Sequence, residues 1–113
     1  MEVRISGRHF EITEGLKEHV QRKADGFEKY IHNIIDVHAI LSVEKYRQCA
    51  EFCVLGKNLK ITEKSVDTDM YKAIDAVSMR IEKALRRHKD KITTHRKKDK
   101  KKTIDVVDQE EVA

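Results

Sequence analysis

"ITEGLKEHVQRKADGFEKYI", residues 12–31, carries the clearest helical pattern in the front half of the chain. Its apolar residues recur at steps of three and four, which is the period of one face of an α-helix. They are Leu16, Val20, Ala24, Phe27 and Ile31. Thr13 stands just before the first turn, where its hydroxyl can accept a hydrogen bond from a backbone N–H. The pattern predicts a first helix over residues 14–31.

Alternating stretches on both sides of this helix predict β-strands. Residues 2–10 alternate before it, and "DVHAILSVEK", residues 36–45, alternates after it. Two more alternating stretches, residues 50–54 and 59–62, flank "GKN" at residues 56–58. A short connection that contains glycine between two such stretches predicts an antiparallel hairpin.

A second helix is predicted from about Asp69 to Ile92, because Asp67, Thr68 and Asp69 are all good capping residues. The order is then β-α-β-β-β-α. We predict an α+β two-layer sandwich, with a four-stranded sheet and both helices on one of its faces. The first helix would cross over between two parallel neighbouring strands, with right-handed connectivity.

Composition limits the class of protein. The chain has 113 residues, enough for one domain, and 39% of them are charged. It contains no apolar run of about 18 residues, so no membrane contact is expected. An acidic, alternating N-terminus does not resemble a signal peptide, and two cysteines without a disulfide framework indicate a reducing compartment. We expect a cytoplasmic monomer.

Positive charge is concentrated near the end of the chain. Residues 86–102 hold ten Lys or Arg against two Asp or Glu, and residues 103–113 hold four acids and no base. Subtracting both groups from the totals of 24 and 20 leaves 14 of each sign in residues 1–85. We predict a domain over residues 1–95 and a flexible tail or linker start, basic and then acidic, over residues 96–113. A local basic feature of this kind favours a polyanionic partner.

The second helix separates its apolar and basic residues at 100° per residue. Its predicted core stripe comprises Ile74, Val77, Ile81, Leu85, His88 and Ile92. The opposite side carries Lys72, Arg80, Lys83, Arg87 and Lys91. The acids Asp75 and Glu82 are displaced to one flank, near Arg86 and Lys89, although Asp90 falls within the basic side. Since arginine can bind phosphate oxygens through two parallel hydrogen bonds, and aromatics are few, the face indicates RNA recognition by backbone and shape.

Two other interpretations of these residues are weaker. Basic residues near a helix C-terminus are favoured by the macrodipole, but by only about 0.3–1 kcal/mol per site, which does not require five on one face. Catalysis has little support, because the six histidines are scattered and no phosphate-binding loop or nucleophile motif occurs. Cys49 and Cys53 would lie about 13 Å apart along one strand, too far for a disulfide or a shared metal. We expect no enzyme activity, no metal, no cofactor and no small-molecule substrate.

The motifs "DMYKAID", residues 69–75, and "RHKDK", residues 87–91, resemble those of the ribosome hibernation-promoting factor and ribosome-associated inhibitor family. The front half agrees through "ISG", "EIT", "FEKYI" and "LSVEK". The resemblance covers about residues 1–95, in order and spacing. In that family, a "DMY-x-AID" entry precedes a helix that ends in a "KHKDK"-like sequence.

The resemblance implies a function as well as a fold. Members bind the small ribosomal subunit between head and body, in the channel for messenger RNA and the A- and P-site transfer RNAs, and stop translation in stationary phase or stress. Their basic helical face contacts ribosomal RNA. The helical wheel and the resemblance together predict these RNA-binding residues: Arg22, Lys23, Lys29, Lys72, Arg80, Lys83, Arg86, Arg87, Lys89 and Lys91.

Several alternatives stay open at this point. Short members of the family end soon after the second helix, whereas long members continue through a linker into a domain that pairs ribosomes, so promotion and prevention of pairing are both compatible with this sequence. A general double-stranded-RNA-binding module is the runner-up. A protein-interaction module whose basic tail docks on an acidic partner comes third, and an enzyme last.

Overall fold

Six elements follow one another in the computed structural model, which describes the backbone of residues 1–101 and the side chains of residues 1–89. They are β1 (Glu2–Arg8), α1 (Glu14–Phe27), β2 (Ile34–Glu44), β3 (Arg47–Gly56), β4 (Leu59–Asp67) and α2 (Met70–Lys101). This confirms the predicted β-α-β-β-β-α order. None of the helices in the described part of the chain is long and apolar enough to cross a membrane.

The four strands form one mixed sheet in the order β1-β2-β3-β4. β1 pairs with β2 in parallel, whereas β2, β3 and β4 pair antiparallel as successive hairpins. Parallel neighbours cannot be joined by a tight turn, and α1 supplies the crossover between β1 and β2. The predicted role of the first helix is therefore confirmed.

The core lies between one face of the sheet and both helices. Alternate residues of the two central strands are fully buried; these are Val37, Ala39 and Leu41 of β2, and Ala50, Phe52 and Val54 of β3. Phe27 at the end of α1 packs edge-to-face on Phe52, with ring centroids 6.0 Å apart. The two-layer sandwich with both helices on one face is thus confirmed.

Both helices differ from the prediction at their C-terminal ends. α1 ends at Phe27, four residues before the predicted Ile31. The next residues form i to i+3 turns, in which the N–H of Tyr30 donates to the carbonyl of Phe27 at 3.0 Å. Ile31 stays buried, so the apolar period outlasts the helix. Gly26, with its low helix propensity, lies where the helix gives way to these turns.

α2 continues to Lys101, nine residues beyond the predicted end at Ile92. The apolar period stops near Ile92, but the chain has no proline and its last glycine is Gly56, so no residue in this stretch interrupts a helix. The predicted tail, residues 96–113, overlaps the last six residues of α2. Residues 102–113, and the side chains from Asp90 onward, lie outside the part of the chain that the structure describes. The predicted boundary between domain and tail stays a prediction.

The predicted caps Thr13 and Asp69 are confirmed by their hydrogen bonds, and Asp67 orders the turn that precedes α2. The Thr13 hydroxyl accepts from the N–H of Leu16 at 3.2 Å. Asp67 Oδ1 accepts from the N–H groups of Thr68, at 2.7 Å, and Asp69, at 3.1 Å, and these bonds lower the pKa of Asp67, the one from Asp69 most strongly. The Asp69 carboxylate in turn accepts from the N–H of Tyr71 at 3.0 Å, at the start of α2.

Ser78 offers a test of how the α2 core is packed. Its side chain is 1% exposed, and no polar group among the described residues hydrogen-bonds its hydroxyl. Because an unsatisfied buried hydroxyl is costly and alanine is the better helix former, we expect Ser78→Ala to raise the free energy of unfolding by about 1 kcal/mol. Urea denaturation measures this. A loss of stability would show that the hydroxyl has a hydrogen-bond partner in solution.

Candidate RNA-binding surface

The predicted cations of α2 face solvent on the side of the helix opposite the core. Its buried stripe includes Ile74, Val77, Ile81 and Leu85, each 0% exposed. Six exposed cations lie around the rest of the helix, and we call them the α2 basic surface: Lys72, Arg80, Lys83, Arg86, Arg87 and Lys89. His88, predicted in the core stripe, is half-buried, and the side chain of Lys91 lies outside the described residues.

Arg80 lies at the edge of the α2 basic surface next to the sheet. Its Nη1 donates a hydrogen bond to the backbone carbonyl of Lys64 in β4 at 3.0 Å. A guanidinium has five N–H donors, so this bond leaves most of them facing solvent. The contact therefore holds the side chain in place while keeping it able to bind an anion.

Arg86 lies on the other side, towards α1. Its guanidinium carbon is 5.8 Å from the centroid of the Tyr30 ring, which follows the last turn of α1. This is a cation–π contact, and it leaves the N–H edges of the guanidinium free. Arg80 and Arg86 also line one shallow groove, whose other members include the exposed Met79 and Lys83. The groove combines apolar side chains with three cations and one carboxylate, that of Glu82.

Arg87 lies beside the β3–β4 hairpin. A second groove between the hairpin and α2 is lined by Arg87, His88, Asn58 and Lys60, among others. Sequence reasoning missed Lys60 as a neighbour of this surface, because alternation alone does not show that the hairpin end packs against α2. The contact between Tyr30 and Arg86 was also missed, because no local pattern shows that the turn after α1 lies beside α2.

Lys23 has a different environment from the other predicted residues. Its Nζ lies 3.3 Å from Asp75 Oδ1 of α2, and the same oxygen is 2.7 Å from His19 Nε2. The Tyr71 ring packs edge-on against His19, with centroids 5.1 Å apart. Lys23 thus contributes to an interhelical cluster, which we define as His19, Lys23, Tyr71 and Asp75. The other predicted residues of α1, Arg22 and Lys29, are exposed.

Gly15 allows the interhelical cluster to pack closely. A Cβ atom at this position would come within 2.6 Å of the Tyr71 hydroxyl oxygen. The tyrosine could keep its present position only if residue 15 lacked a side chain. A side chain at position 15 would therefore displace the end of the Tyr71 side chain, which packs against His19.

Asp75 carries a pKa below its ordinary value. Burial alone would raise the pKa of this carboxyl, but the hydrogen bonds from His19 and Lys23 favour the charged form and outweigh that effect. The carboxylate is therefore compensated by α1 residues. It does not act as a free negative charge beside the α2 basic surface.

The outer face of the sheet holds the other polar contacts of note. His38 Nε2 and Ser6 Oγ are 2.8 Å apart, and Arg4 Nη2 lies 2.8 Å from Asp36 Oδ2. The Arg4 hydrogen bond lowers the pKa of Asp36. These groups lie on adjoining strands of an open face rather than in an enclosed site. Cys49 and Cys53 are both free thiols, as predicted, and residues 1–89 contain no group of three or more His, Cys, Asp or Glu placed to hold a metal ion.

Comparison with known proteins identifies the family. Residues 3–93 match the family described as sigma 54 modulation protein / S30EA ribosomal protein. The chain belongs to this family. A ribosome hibernation promoting factor from Salmonella typhimurium is 35% identical over 95 residues, which cover 84% of this chain and all of that protein. One from Pseudomonas putida is 34% identical over 91 residues, covering 80% of this chain and 89% of that protein.

Solved structures share the same fold. A ribosomal subunit interface protein from Coxiella burnetii superposes with a TM-score of 0.76 at 22% identity, over 80% of this chain and 99% of that one. The Thermus thermophilus Protein Y N-terminal domain gives 0.73 at 26% identity, over 78% and 99%. The family match and the two hibernation factors confirm the resemblance noted in the sequence.

The interhelical cluster predicts a dependence of stability on pH. A carboxyl whose pKa is lower in the folded state contributes stability above its unfolded value of about 3.9 and loses it as pH falls through the folded value. Asp75→Asn should lower the free energy of unfolding at pH 7, by less than about 1 kcal/mol because the pair is half-exposed. Between pH 7 and pH 3 the variant should lose less stability than the wild type.

Urea titrations at the two pH values measure both effects. Glu82→Gln is the matched control, since it removes a carboxylate from the same helix that makes no ion pair among the described side chains. Equal losses in the Asp75 and Glu82 variants would contradict the assignment of the cluster.

Proposed function

We propose that this protein is a ribosome-binding translation inhibitor of the hibernation class. It would occupy the messenger RNA and transfer RNA channel of the small ribosomal subunit through the α2 basic surface. The observation that carries the proposal is that surface itself, with six exposed cations outside the buried stripe of one helix. The relatives named ribosome hibernation promoting factor supply the class of function. Because ribosomes work in the cytoplasm, we propose the same location for this protein.

The chemistry of the surface suits ribosomal RNA phosphates. Arginine presents a planar fork that matches phosphate oxygens, and lysine adds point charge. Arg80 and Arg86 are already held by Lys64 and Tyr30, so less side-chain freedom is lost when they bind. Within residues 1–89, no acidic side chain lies within ion-pair distance of Lys83, Arg87 or Lys89.

Inhibition by this route needs no catalytic step. A rigid domain that occupies the channel excludes transfer RNA by volume, and it leaves when competing ligands displace it. Occlusion therefore depends on affinity and shape alone. We propose that residues 1–95 suffice for binding as a monomer, while residues 96–113 form a tail. A general double-stranded-RNA-binding module would use the same surface, so binding to a free RNA duplex is the outcome that would favour it.

Charge reversal on the α2 basic surface tests the proposal. Lys83→Glu combined with Arg87→Glu should weaken binding to small subunits by roughly 100-fold or more, since two charge-assisted contacts are replaced by repulsion. Both side chains are exposed, so folding should be unchanged by circular dichroism. Co-sedimentation with purified subunits and with a free RNA duplex measures the effect.

The matched control reverses one exposed lysine on the other helix. Lys17 lies over the β1 side of α1. Lys17→Glu makes the same change in net charge as Lys83→Glu alone and should retain most of the affinity that Lys83→Glu loses. Equal losses in these two single variants would reduce the interaction to net charge and reject the assigned face. Equal wild-type binding to subunits and free duplex would replace the ribosome proposal with the general module.

Salt dependence gives a separate test of the electrostatic account. The logarithm of the association constant should fall linearly with the logarithm of salt concentration, by roughly 0.7 to 0.9 per phosphate neutralised. The Lys83 and Arg87 double variant should show a slope shallower by about 1 to 2, one unit per lost contact. Binding constants measured at a series of KCl concentrations provide the slopes. A slope near zero for the wild type would rule out phosphate contacts.

A further inference from the structure

We propose that the tip of the β2–β3 hairpin is a second RNA contact, in which Tyr46 stacks on an unpaired base and Lys45 and Arg47 bind the flanking phosphates. The inference rests on the proposed function for the identity of the partner. It extends that function to a part of the molecule remote from the centre of the α2 basic surface. It also adds direct contact with a base, which the α2 basic surface does not provide.

The geometry of the turn is the first observation. Glu44 pairs with Arg47 across the hairpin, so Lys45 and Tyr46 are its only two loop residues. Lys45 has a φ of 54°, in the left-handed region that favours glycine or asparagine in tight hairpins. In the β3–β4 hairpin the residue with positive φ is Asn58, a type suited to it. The β2–β3 turn instead holds two large side chains at some conformational cost. Backbone strain of this kind is typical of sites that contact a ligand.

The exposure of Tyr46 is the second observation. It is 87% exposed, against 43% for Tyr71. Tyr71 packs on His19 and Tyr30 lies under Arg86, whereas Tyr46 has no aromatic or cation–π partner among the described residues. A tyrosine has only two side-chain torsions, so presenting its ring to a ligand costs little entropy. The ring is available on both faces for stacking.

The charge around the ring is the third observation. Lys45 and Arg47 are exposed on either side of Tyr46, and Arg8 at the end of β1 is exposed two strands away from β3. The acid within the hairpin end is Glu44, opposite Arg47. Asp67 and Asp69 at the same end of the sheet accept backbone N–H bonds that begin α2. An aromatic ring between two cations is the arrangement by which proteins bind single-stranded nucleic acid.

The tip is also held in position relative to α2. Gln48 Nε2, one residue after Arg47, donates to the carbonyl of Thr68 at 3.2 Å, just before α2 begins. From there α2 runs towards the opposite hairpin, where Arg87 lies beside Asn58. Met70 to Arg87 spans roughly 25 Å at 1.5 Å per residue. The tip and the C-terminal end of the α2 basic surface are therefore separated by about the length of the sheet, and a large RNA could contact both.

Substitutions of Tyr46 test whether binding requires a flat ring at this position. Tyr46→Ala should weaken binding to purified small subunits by roughly 5-fold to 100-fold, the range for loss of one stacked base. Tyr46→Phe should bind within about twofold of the wild type, because stacking needs the ring and not the hydroxyl. Tyr46→Leu, which keeps apolar area without a flat face, should behave like Tyr46→Ala. The exposed position should leave the urea unfolding curve of each variant unchanged.

The outcomes separate this inference from the proposed function. If the wild type binds subunits, the Lys83 and Arg87 double variant does not, and Tyr46→Ala binds like the wild type, then the tip contact is overturned and the proposed function stands. Binding of Tyr46→Leu at the wild-type level would indicate an apolar contact to a ribosomal protein in place of base stacking. This result would also overturn the tip contact. If the wild type fails to bind subunits, the proposed function fails, and the tip contact fails with it because it depends on that function.

Discussion

Burial of one stripe of α2 against the sheet is the constraint on which the rest of the molecule depends. With Ile74, Val77, Ile81 and Leu85 fully buried, the rotation of the helix about its axis is fixed. At 100° per residue, Lys83 and Arg87 must then face away from the core. A small rotation would bring a cation into the core, where an unpaired charge costs several kcal/mol, about half the stability of an ordinary domain. The packing of the core therefore also positions the basic surface.

Both the local sequence and a tertiary contact contribute to the positive charge of α2. Residues 1–85, with 14 cations and 14 acids, supply Lys72, Arg80 and Lys83 of the α2 basic surface. The basic segment that follows supplies the other three. Asp75 of α2 pairs with Lys23 of α1, whereas most cations on α2 have no ion-pair partner among the described side chains. The positive surface thus results from the excess of cations after residue 85 together with the compensation of an acid on the same helix.

The sequence predicted what depends on local periodicity. The apolar steps of α1 and α2, the alternation of the strands and the capping residues lie within a few positions of one another, so the element order and the buried face followed from them. The ends of the helices did not, because Ile31 remains buried after α1 has ended and because nothing in the sequence stops α2 at Ile92. The membership of the RNA-binding surface stays a prediction, although the orientation of its helix is now fixed.

Contacts between distant parts of the chain were beyond the sequence. Lys23 and Asp75 are 52 positions apart, by subtraction of their numbers, and no periodic pattern connects them. The same holds for Arg80 and the carbonyl of Lys64, a backbone group that carries no sequence signal. Lys45 and Tyr46 escaped notice for a different reason, since neither residue is typical of a tight turn. What made them conspicuous is the structure, in which two bulky residues form the whole loop.

Under the proposed function, the arginine contacts would favour binding without rearrangement of the domain. Arg80 and Arg86 are held from opposite sides, one by the sheet and one by the turn after α1, so their guanidinium groups are ordered before any ligand arrives. Ordering a long side chain on binding costs about 0.5–1.5 kcal/mol, and this cost is reduced where folding has already imposed the order. Because the two supports come from different elements, the surface is as rigid as the packing between the layers. If the protein inhibits by occupying space, as we propose, then the stability of the core and the affinity for RNA are physically linked.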